Sequence, residues 1–398
     1  MSPVTYLDDL PRSAGLVIVG GGVVGAATAF FAARAGMDPV LLEARSALCT
    51  LTTPASTGAF RLQFDNLEEL ELVRESVELF LNFREVTGQA EYDVGVQEQG
   101  YLFATTDEGR AAWQRRLVAQ QHGWGQTDVE VLDSDEVRRR WPWLAQRVVQ
   151  ARFRARDGFL DPKQLTLGLV AGSRAPVVVD TVVTGFTSTG GRLTGVETRA
   201  GTISTDRAVV ACGPLSGELC GSVGVALPVE TVTRHKLVLP DVPEVPRAAP
   251  MTIDDDTGVH WRPALRGASI LFTDPTTPPS PPTDSVVGDP GFAFQVLSPK
   301  SPVAAGRIAP FWNGVWEKGS ALWMMQSGQY TNTPDHRPLL GPIALEGLFV
   351  NTGYSGHGIM SSPAGSRHLV DVMTGDVGNE DNSFRVDRTF VVRELDRL

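Results

Sequence analysis

The chain has 398 residues, of which 42% are hydrophobic and 20% charged, with 41 glycines, and this composition excludes a fibrous or wholly disordered protein. Its formal net charge of -11 argues against nucleic acid or an anionic membrane as the main partner, because both attract clustered Lys and Arg. At roughly 150 residues per domain, the length predicts two domains.

The cysteines and the N-terminal segment bear on the compartment. Cys49, Cys212 and Cys220 form no CxxC pair, so neither a disulfide framework nor a zinc cluster is predicted. The apolar stretch at 16–33 is interrupted by three consecutive glycines and preceded by acidic residues, unlike a signal peptide or a membrane span. We therefore expect a cytoplasmic protein without a metal site.

The first predicted elements form a βαβ unit. Residues 16–19 are a β-branched apolar run, residues 23–35 have the Ala-rich composition of a buried helix closed by Gly36, and residues 39–42 are a second apolar run. Two strands joined in this way belong to a parallel sheet covered by helices.

Later elements have different periods. The segment Asn66 to Glu85 places apolar residues on one face of an amphipathic helix. Residues 176–210 contain short β-branched runs with a glycine pair at 190–191, which predicts a β-meander. The proline-rich stretch 240–302 predicts long loops between strands, and the simplest interpretation of it is a surface insertion without function. A final strand at 348–351 leads through a glycine-rich loop to a helix at 362–374.

A dinucleotide fingerprint lies inside the βαβ unit. Gly20, Gly22 and Gly25 have the GxGxxG spacing between strand and helix, and Glu43 ends the next strand. The glycines permit a tight turn, backbone approach to a pyrophosphate, and close helix packing, and the acid accepts from the ribose hydroxyls. An acid at this position disfavours NADP, so NAD and FAD remain.

Six further short segments follow along the chain: STGAFR at 56–61, GYLF at 100–103, DGFLDP at 157–162, ACGP at 211–214, TPD at 333–335 and GYSGHG at 353–358. In these segments and in their order the chain resembles the D-amino-acid oxidase superfamily of flavoproteins, and within it the branch of sarcosine oxidase, dimethylglycine dehydrogenase and the proline dehydrogenase β subunit. The resemblance covers about residues 16–375 and implies FAD as the cofactor.

The resemblance implies an α/β protein with a Rossmann-like FAD-binding domain and a second α+β substrate domain built on an antiparallel sheet. The FAD-binding domain is expected to be discontinuous, over residues 1–88, 150–227 and 326–398. The substrate domain is expected over residues 89–149 and 228–325.

By the same resemblance, nineteen residues are expected to bind the cofactor. Val183 is expected at the adenine, Ser56 and Thr57 at the pyrophosphate and flavin, and the 356–358 loop at the flavin N1 and C2 carbonyl. There, fixed N–H donors stabilise the reduced flavin anion. The full set is Gly20, Gly22, Val23, Val24, Gly25, Glu43, Ala44, Arg45, Ser56, Thr57, Val183, Ala211, Gly213, Gly353, Gly356, His357, Gly358, Ile359 and Met360.

The sequence departs from the monomeric sarcosine oxidases at the positions that match their functional residues. Gly328 stands where their flavin-linking cysteine lies, which predicts non-covalent FAD. Phe64 and Met360 replace the Arg and Lys that hold their substrate carboxylate, and Leu271 replaces the Lys linked to oxygen activation. The proline-dehydrogenase-like branch resembles this chain better at these points.

The remaining candidates for the catalytic pocket are Arg61, Arg262, Tyr330 and His357, together with the cationic stretch Arg234 to Lys236. Members of the family oxidise a C–H bond next to an amine nitrogen, so alignment of the substrate and a neutral amine matter more than a dedicated base. We therefore look for positioning residues and not for a triad.

The predicted function is FAD-dependent oxidation of the C–N bond of a secondary or tertiary amine or amino acid, similar to sarcosine, dimethylglycine or proline, to an imine. O2 or another acceptor takes the electrons, and the oligomeric state stays open. Two alternatives are kept: a 2-hydroxy-acid or biosynthetic tailoring oxidase on the same fold, because fold does not fix chemistry, and a non-catalytic flavoprotein subunit of an assembly.

Overall fold

The computed structural model describes residues 4–319 and 322–391. Its strands alternate with helices in the first part of the chain and follow one another in the middle. The strands are β1 Leu16–Val19, β2 Pro39–Leu42, β3 Ala59–Phe60, β4 Tyr101–Thr105, β5 Glu130–Asp133, β6 Gln150–Arg154, β7 Gly158–Phe159, β8 Val177–Val178, β9 Val183–Thr189, β10 Arg192–Thr198, β11 Gly201–Ser204, β12 Ala208–Val210, β13 Glu230–Leu239, β14 Met251–Asp254, β15 Val259–Ala264, β16 Gly267–Phe272, β17 Met324–Asn332, β18 Leu339–Pro342 and β19 Leu348–Thr352.

The helices vary from single turns to seventeen residues. They are α1 Val23–Arg34, α2 Thr52–Ala55, α3 Leu67–Leu81, α4 Phe83–Thr87, α5 Glu108–Gly123, α6 Ser134–Arg140, α7 Pro162–Ser173, α8 Ser216–Gly221, α9 Phe292–Leu297, α10 Phe311–Glu317 and α11 Gly358–Thr374. None of the helices in this part of the chain is long and apolar enough to cross a membrane.

The first sheet confirms the predicted βαβ unit. Its strand order is β18-β19-β12-β1-β2-β8, and all pairs are parallel except β18 with β19. Both faces are covered: Leu16 and Ile18 of β1 pack into one apolar cluster, and Val17 and Val19 pack into another. A strand that is buried on both faces has a continuous apolar sequence, and the sequence of β1, LVIV, is of this kind.

The second sheet has eight strands in the order β17-β13-β16-β15-β14-β4-β6-β5. Its pairs are antiparallel except β4 with β14. One side of it packs on an aromatic core in which Trp261 of β15 and Trp312 of α10 lie 5.7 Å apart, centroid to centroid. The two sheets together confirm the expected fold class.

Three element predictions were wrong in detail. The helix expected from Asn66 to Glu85 is two helices, because α3 ends at Leu81 and Asn82 caps both. The meander comprises only β9 to β11, since β8 and β12 belong to the parallel sheet. The last helix begins at Gly358, four residues before the predicted start, with Pro363 inside it.

The sheets also refine the domain boundaries. Strand β6 begins at residue 150 and strand β17 covers 324–332, and both lie in the eight-stranded sheet. The expected boundaries assigned residues 150 onward and 326 onward to the FAD-binding domain. We therefore propose that these two boundaries follow β6 and β17.

Candidate functional site

One elongated cavity of about 450 Å³ runs between the two sheets, within the range usual for ligand pockets. It passes the carboxyl ends of β1, β2, β12 and β19 and continues beneath β13, β16 and β17. Ligands in open α/β sheets bind outside the carboxyl ends of the strands, so this cavity is the candidate site.

The glycine turn forms the wall at the end of β1. Gly20 has a φ of +117°, and a Cβ there would lie 2.5 Å from the Ala211 carbonyl oxygen. Gly22 caps α1 without a side-chain hydrogen bond. Gly22 therefore places no side chain between the N-terminus of α1 and the cavity that the turn lines. An open helix N-terminus of this kind can bind a phosphate.

Glu43 fixes the turn from the next strand. Its Oε2 accepts from Gly21 N at 2.7 Å and its Oε1 accepts from Arg45 N at 2.8 Å. Burial raises the pKa of Glu43, although these backbone donors oppose the shift. Each carboxylate oxygen can accept a further bond, so the side chain can still receive a ribose hydroxyl within the cavity.

The glycine loop after β19 forms the opposite end of the cavity. Gly353 has a φ of +76°, and Gly356 stands so close to the Tyr330 ring that a Cβ would lie 3.1 Å from it. The Ser355 hydroxyl lines this end and is buried without a hydrogen-bond partner. Helix α11 begins here without a side-chain cap, because His357 occupies the N-cap position and makes none. An orphaned hydroxyl beside an uncapped helix end fits the polar edge of a flavin ring.

Arg234, Leu271 and Tyr330 line the cavity from three neighbouring strands of the eight-stranded sheet. The Arg234 Nη1 donates to Thr277 Oγ1 at 2.7 Å, and its Nε is buried without a partner. Burial lowers the pKa of Arg234 and raises that of Tyr330. Within residues 4–319 and 322–391, no carboxylate lies within ion-pair distance of Arg234.

Two of the predicted catalytic residues lie in a buried cluster behind the glycine loop. His357 Nδ1 lies 2.9 Å from Glu69 Oε1, and its Nε2 lies 3.4 Å from the Arg61 guanidinium. Arg61 is 1% exposed and stacks over the Phe64 ring at 4.6 Å. Burial alone would raise the pKa of Glu69, but His357, Asn66 and Arg61 outweigh it and lower the pKa. The cluster supports the N-terminus of α11 from behind.

The structure brings most of the expected cofactor residues to this one cavity. The expected residues that line it are Gly20, Gly22, Val23, Val24, Glu43, Ala44, Arg45, Ser56, Val183, Ala211, Gly213, Gly353, Gly356, Gly358, Ile359 and, from the catalytic set, Tyr330. Those that lie outside the lining are Gly25, Thr57, Met360, Arg61, Arg262 and His357.

Sequence reasoning named Arg234 as a pocket candidate only within the stretch Arg234 to Lys236, and alternation along β13 turns Arg234 to the same face as Lys236. It missed the lining residues that come from the proline-rich loop. The proline-rich loop after β16 is not a detached insertion: Asp284 lines the cavity and its carbonyl accepts from Arg45. Gln329 ties the same loop down by donating to Pro281 O at 2.7 Å.

Comparisons with known proteins agree with this geometry. A family model described as FAD dependent oxidoreductase matches residues 16–372. FAD-dependent oxidoreductase domain-containing protein 1 of Xenopus laevis is 26% identical over 94% of this chain and 81% of its own length. Human mitochondrial dimethylglycine dehydrogenase is also 26% identical, over 89% of this chain but 42% of its own length, so this chain spans less than half of that relative.

Solved structures share the fold. L-proline dehydrogenase from P. horikoshii has a TM-score of 0.80 at 23% identity, over 95% of this chain and 96% of its own. Glycine oxidase from Bacillus cereus also has a TM-score of 0.80, at 22% identity, over 95% and 100% of the two chains. With the matched family model and the cavity described above, these findings establish that the chain belongs to the FAD dependent oxidoreductase family and that FAD is its cofactor.

Proposed function

We propose that the protein oxidises the C–N bond of a secondary or tertiary amine, in particular an amino acid, and gives an imine from a secondary amine or an iminium ion from a tertiary amine. FAD, when bound, supplies the hydride acceptor. Relatives whose names state dimethylglycine, sarcosine or proline as substrate support an amine. The observation that carries the proposal is a cationic side chain without a carboxylate partner at the end of the cavity next to the glycine loop.

That side chain is Arg234. A half-buried guanidinium with an unpartnered Nε costs free energy unless an anion completes it, and a substrate carboxylate is the anion we assign to it. The neighbouring Tyr330 ring lies 5.8 Å from the guanidinium carbon and Leu271 closes the pocket with an apolar surface. Together they suit a small substrate with one carboxylate and an apolar body.

The distribution of acids supports direct hydride loss. The carboxylates among the described lining residues are Glu43, Glu218 and Asp284. Glu43 contacts the glycine turn, Asp284 lies against Arg45, and Glu218 belongs to α8, next to Cys212. None of them contacts Arg234, Tyr330 or the 353–358 loop. A neutral amine that loses hydride needs no protein base. Amine oxidation at this end of the cavity therefore does not require a carboxylate there.

We propose that the pyrophosphate lies at the N-terminus of α1, the adenosine between Glu43 and Val183, and the flavin ring at the 353–358 loop, held non-covalently because Gly328 carries no reactive group. Arg61 and His357 then support the loop from behind. We also propose that O2 or another oxidant accepts the electrons and that the protein is cytoplasmic, although several relatives are named as mitochondrial.

Anaerobic mixing of the flavin-loaded protein with sarcosine, dimethylglycine and proline tests the proposal. We expect the flavin absorption to bleach with at least one of them. Replacing Arg234 by Met should raise the half-saturating concentration of that amino acid about 10- to 100-fold, because a hydrogen bond to a charged group contributes about 1.5–3 kcal/mol. The matched control is Arg84→Met, which removes an exposed arginine paired with Asp93.

Other outcomes favour the alternatives. Bleaching by 2-hydroxy acids and by no amine would replace the proposal with a hydroxy-acid or tailoring oxidase. A protein that carries FAD, is reduced by neither class and co-purifies with a larger complex would favour a non-catalytic subunit. An unchanged half-saturating concentration in Arg234→Met would remove the carboxylate assignment alone.

A further inference from the structure

A short segment connects the two halves of the cavity wall. Residues 54–57 lead from α2 to β3, and Ala55 and Ser56 line the cavity. At its start, Thr53 Oγ1 accepts from Val23 N at the beginning of α1, at 3.2 Å. The segment therefore links the candidate phosphate site to the eight-stranded sheet.

Lys236 holds this segment from the eight-stranded sheet. Its Nζ donates to the carbonyl oxygens of Pro54 at 2.5 Å and Ser56 at 2.8 Å. The side chain is 8% exposed, and in the described part of the chain no carboxylate lies within ion-pair distance of it. Burial, and then the nearby Arg262, lower the pKa of Lys236 to about 8.

Arg262 continues the same pattern on the next residue of the segment. Its Nε donates to Thr57 O at 2.6 Å, and its guanidinium lies over the Phe159 ring at 4.4 Å. Two cations from β13 and β15 thus bind three carbonyls within four consecutive residues of the other domain.

Burying these two cations together lowers the stability of the folded protein. A buried lysine without a carboxylate loses hydration that two carbonyls restore only in part, and a second cation beside it adds repulsion. Groups retained at such a cost are commonly functional. What these two cations hold in place is the backbone of a segment that lines the cavity.

We infer that Lys236 is a positioning residue that, together with Arg262, fixes segment 54–57 against bound FAD. The inference rests on the proposed placement of FAD in this cavity. It assigns Lys236 no contact with the reacting atoms. Its effect on the cofactor passes through the carbonyls of Pro54 and Ser56, so the presence and strength of the hydrogen bonds donated from position 236 should set how tightly FAD is held.

The test is the FAD dissociation constant of the apoprotein, measured by quenching of flavin fluorescence, with the visible spectrum of the bound flavin. Lys236→Met has no donors and should raise the constant at least about 10-fold and shift the spectrum. Lys236→Gln has two N–H donors and should stay within about 3-fold of the wild type. Lys318→Met, which removes an exposed lysine paired with Glu244, should change neither. Wild-type affinity and spectrum in Lys236→Met would overturn the inference, and so would an equal loss in Lys236→Gln.

If Lys236→Met does not fold, Arg262→Met takes its place in the test. It removes the donor to Thr57 O and should also raise the dissociation constant, and an unchanged value would overturn the inference. These measurements need FAD but no substrate. A protein that binds FAD and turns over no amine would therefore refute the proposed function and leave this inference standing.

The pH dependence gives a readout that a purely structural lysine would not move. An ammonium is a stronger donor than a neutral amine, so the wild-type dissociation constant should rise several-fold from pH 7 to 9, as Lys236 loses its proton. The other groups that face Lys236 are Arg262, Asp161 and Cys49. Burial lowers the pKa of Arg262 to about 10 and raises that of Cys49 to about 11, both above this range. The rise should be absent in Lys236→Gln, and its persistence there would contradict the assignment.

Discussion

Replacing Gly25 by Ala tests how the first helix meets the glycine turn. A Cβ at Gly25 would lie 1.8 Å from the carbonyl oxygen of Gly20. The carbonyl oxygen is a backbone atom and the position of a Cβ is set by the backbone, so no side-chain rotation can relieve the overlap. Helix α1 must therefore move by more than about 1 Å in a close-packed region. Such overpacking costs about 3 kcal/mol, and the movement also displaces the N-terminus of α1 from the turn.

We therefore expect Gly25→Ala to lower the free energy of unfolding in urea by about 3 kcal/mol and to weaken FAD binding more than 10-fold. Gly314→Ala is the matched control, because Gly314 lies within α10 and a Cβ there meets nothing within 4 Å. It should stabilise the protein by about 0.5–1 kcal/mol. A Gly25→Ala protein with wild-type stability and FAD affinity would refute this account of the turn.

Two further predictions concern buried carboxylates. Glu43→Gln places an amide donor against the N–H groups of Gly21 or Arg45, which costs about 1–3 kcal/mol, so the FAD dissociation constant should rise about 10- to 100-fold in a fluorescence titration; an unchanged constant would contradict the assigned role. Glu69→Gln removes the charge 2.9 Å from His357 Nδ1 and should destabilise the protein by about 3 kcal/mol at pH 7. Because the pKa of Glu69 is lowered in the folded state, its contribution is present above the usual carboxyl range and lost as the pH falls through it. Urea unfolding at pH 7 and pH 3 should therefore show a difference between Glu69→Gln and the wild type that shrinks in acid, and a difference independent of pH would exclude this explanation.

The sequence predicted well those features that depend on local spacing. The β1–α1–β2 unit and its fingerprint lie within residues 16–43, and the close contact of Gly25 with the Gly20 carbonyl oxygen lies inside this unit, whereas the contact of Gly20 with Ala211 does not. The start of α11 was missed because Gly356, Gly358 and Pro363 are poor helix formers. Packing of α11 against α1 and α3 outweighs that propensity.

Features that depend on pairing between distant strands could not be predicted in the same way. Arg234 reaches the cavity because β13 pairs with β17 in the register that sets it opposite Gly328, and residues 94 apart determine that register. The Lys236 contacts likewise join residues about 180 apart, and no local pattern marks them.

The strand order of the first sheet has a consequence for synthesis. Strand β19, at Leu348–Thr352, inserts between β12 and β18, and the loop that we assign to the flavin follows it directly. A ribosome must therefore translate past Thr352 before the parallel sheet can close and FAD can be held in the cavity. Chains released before that point would contain the fingerprint but would not retain FAD.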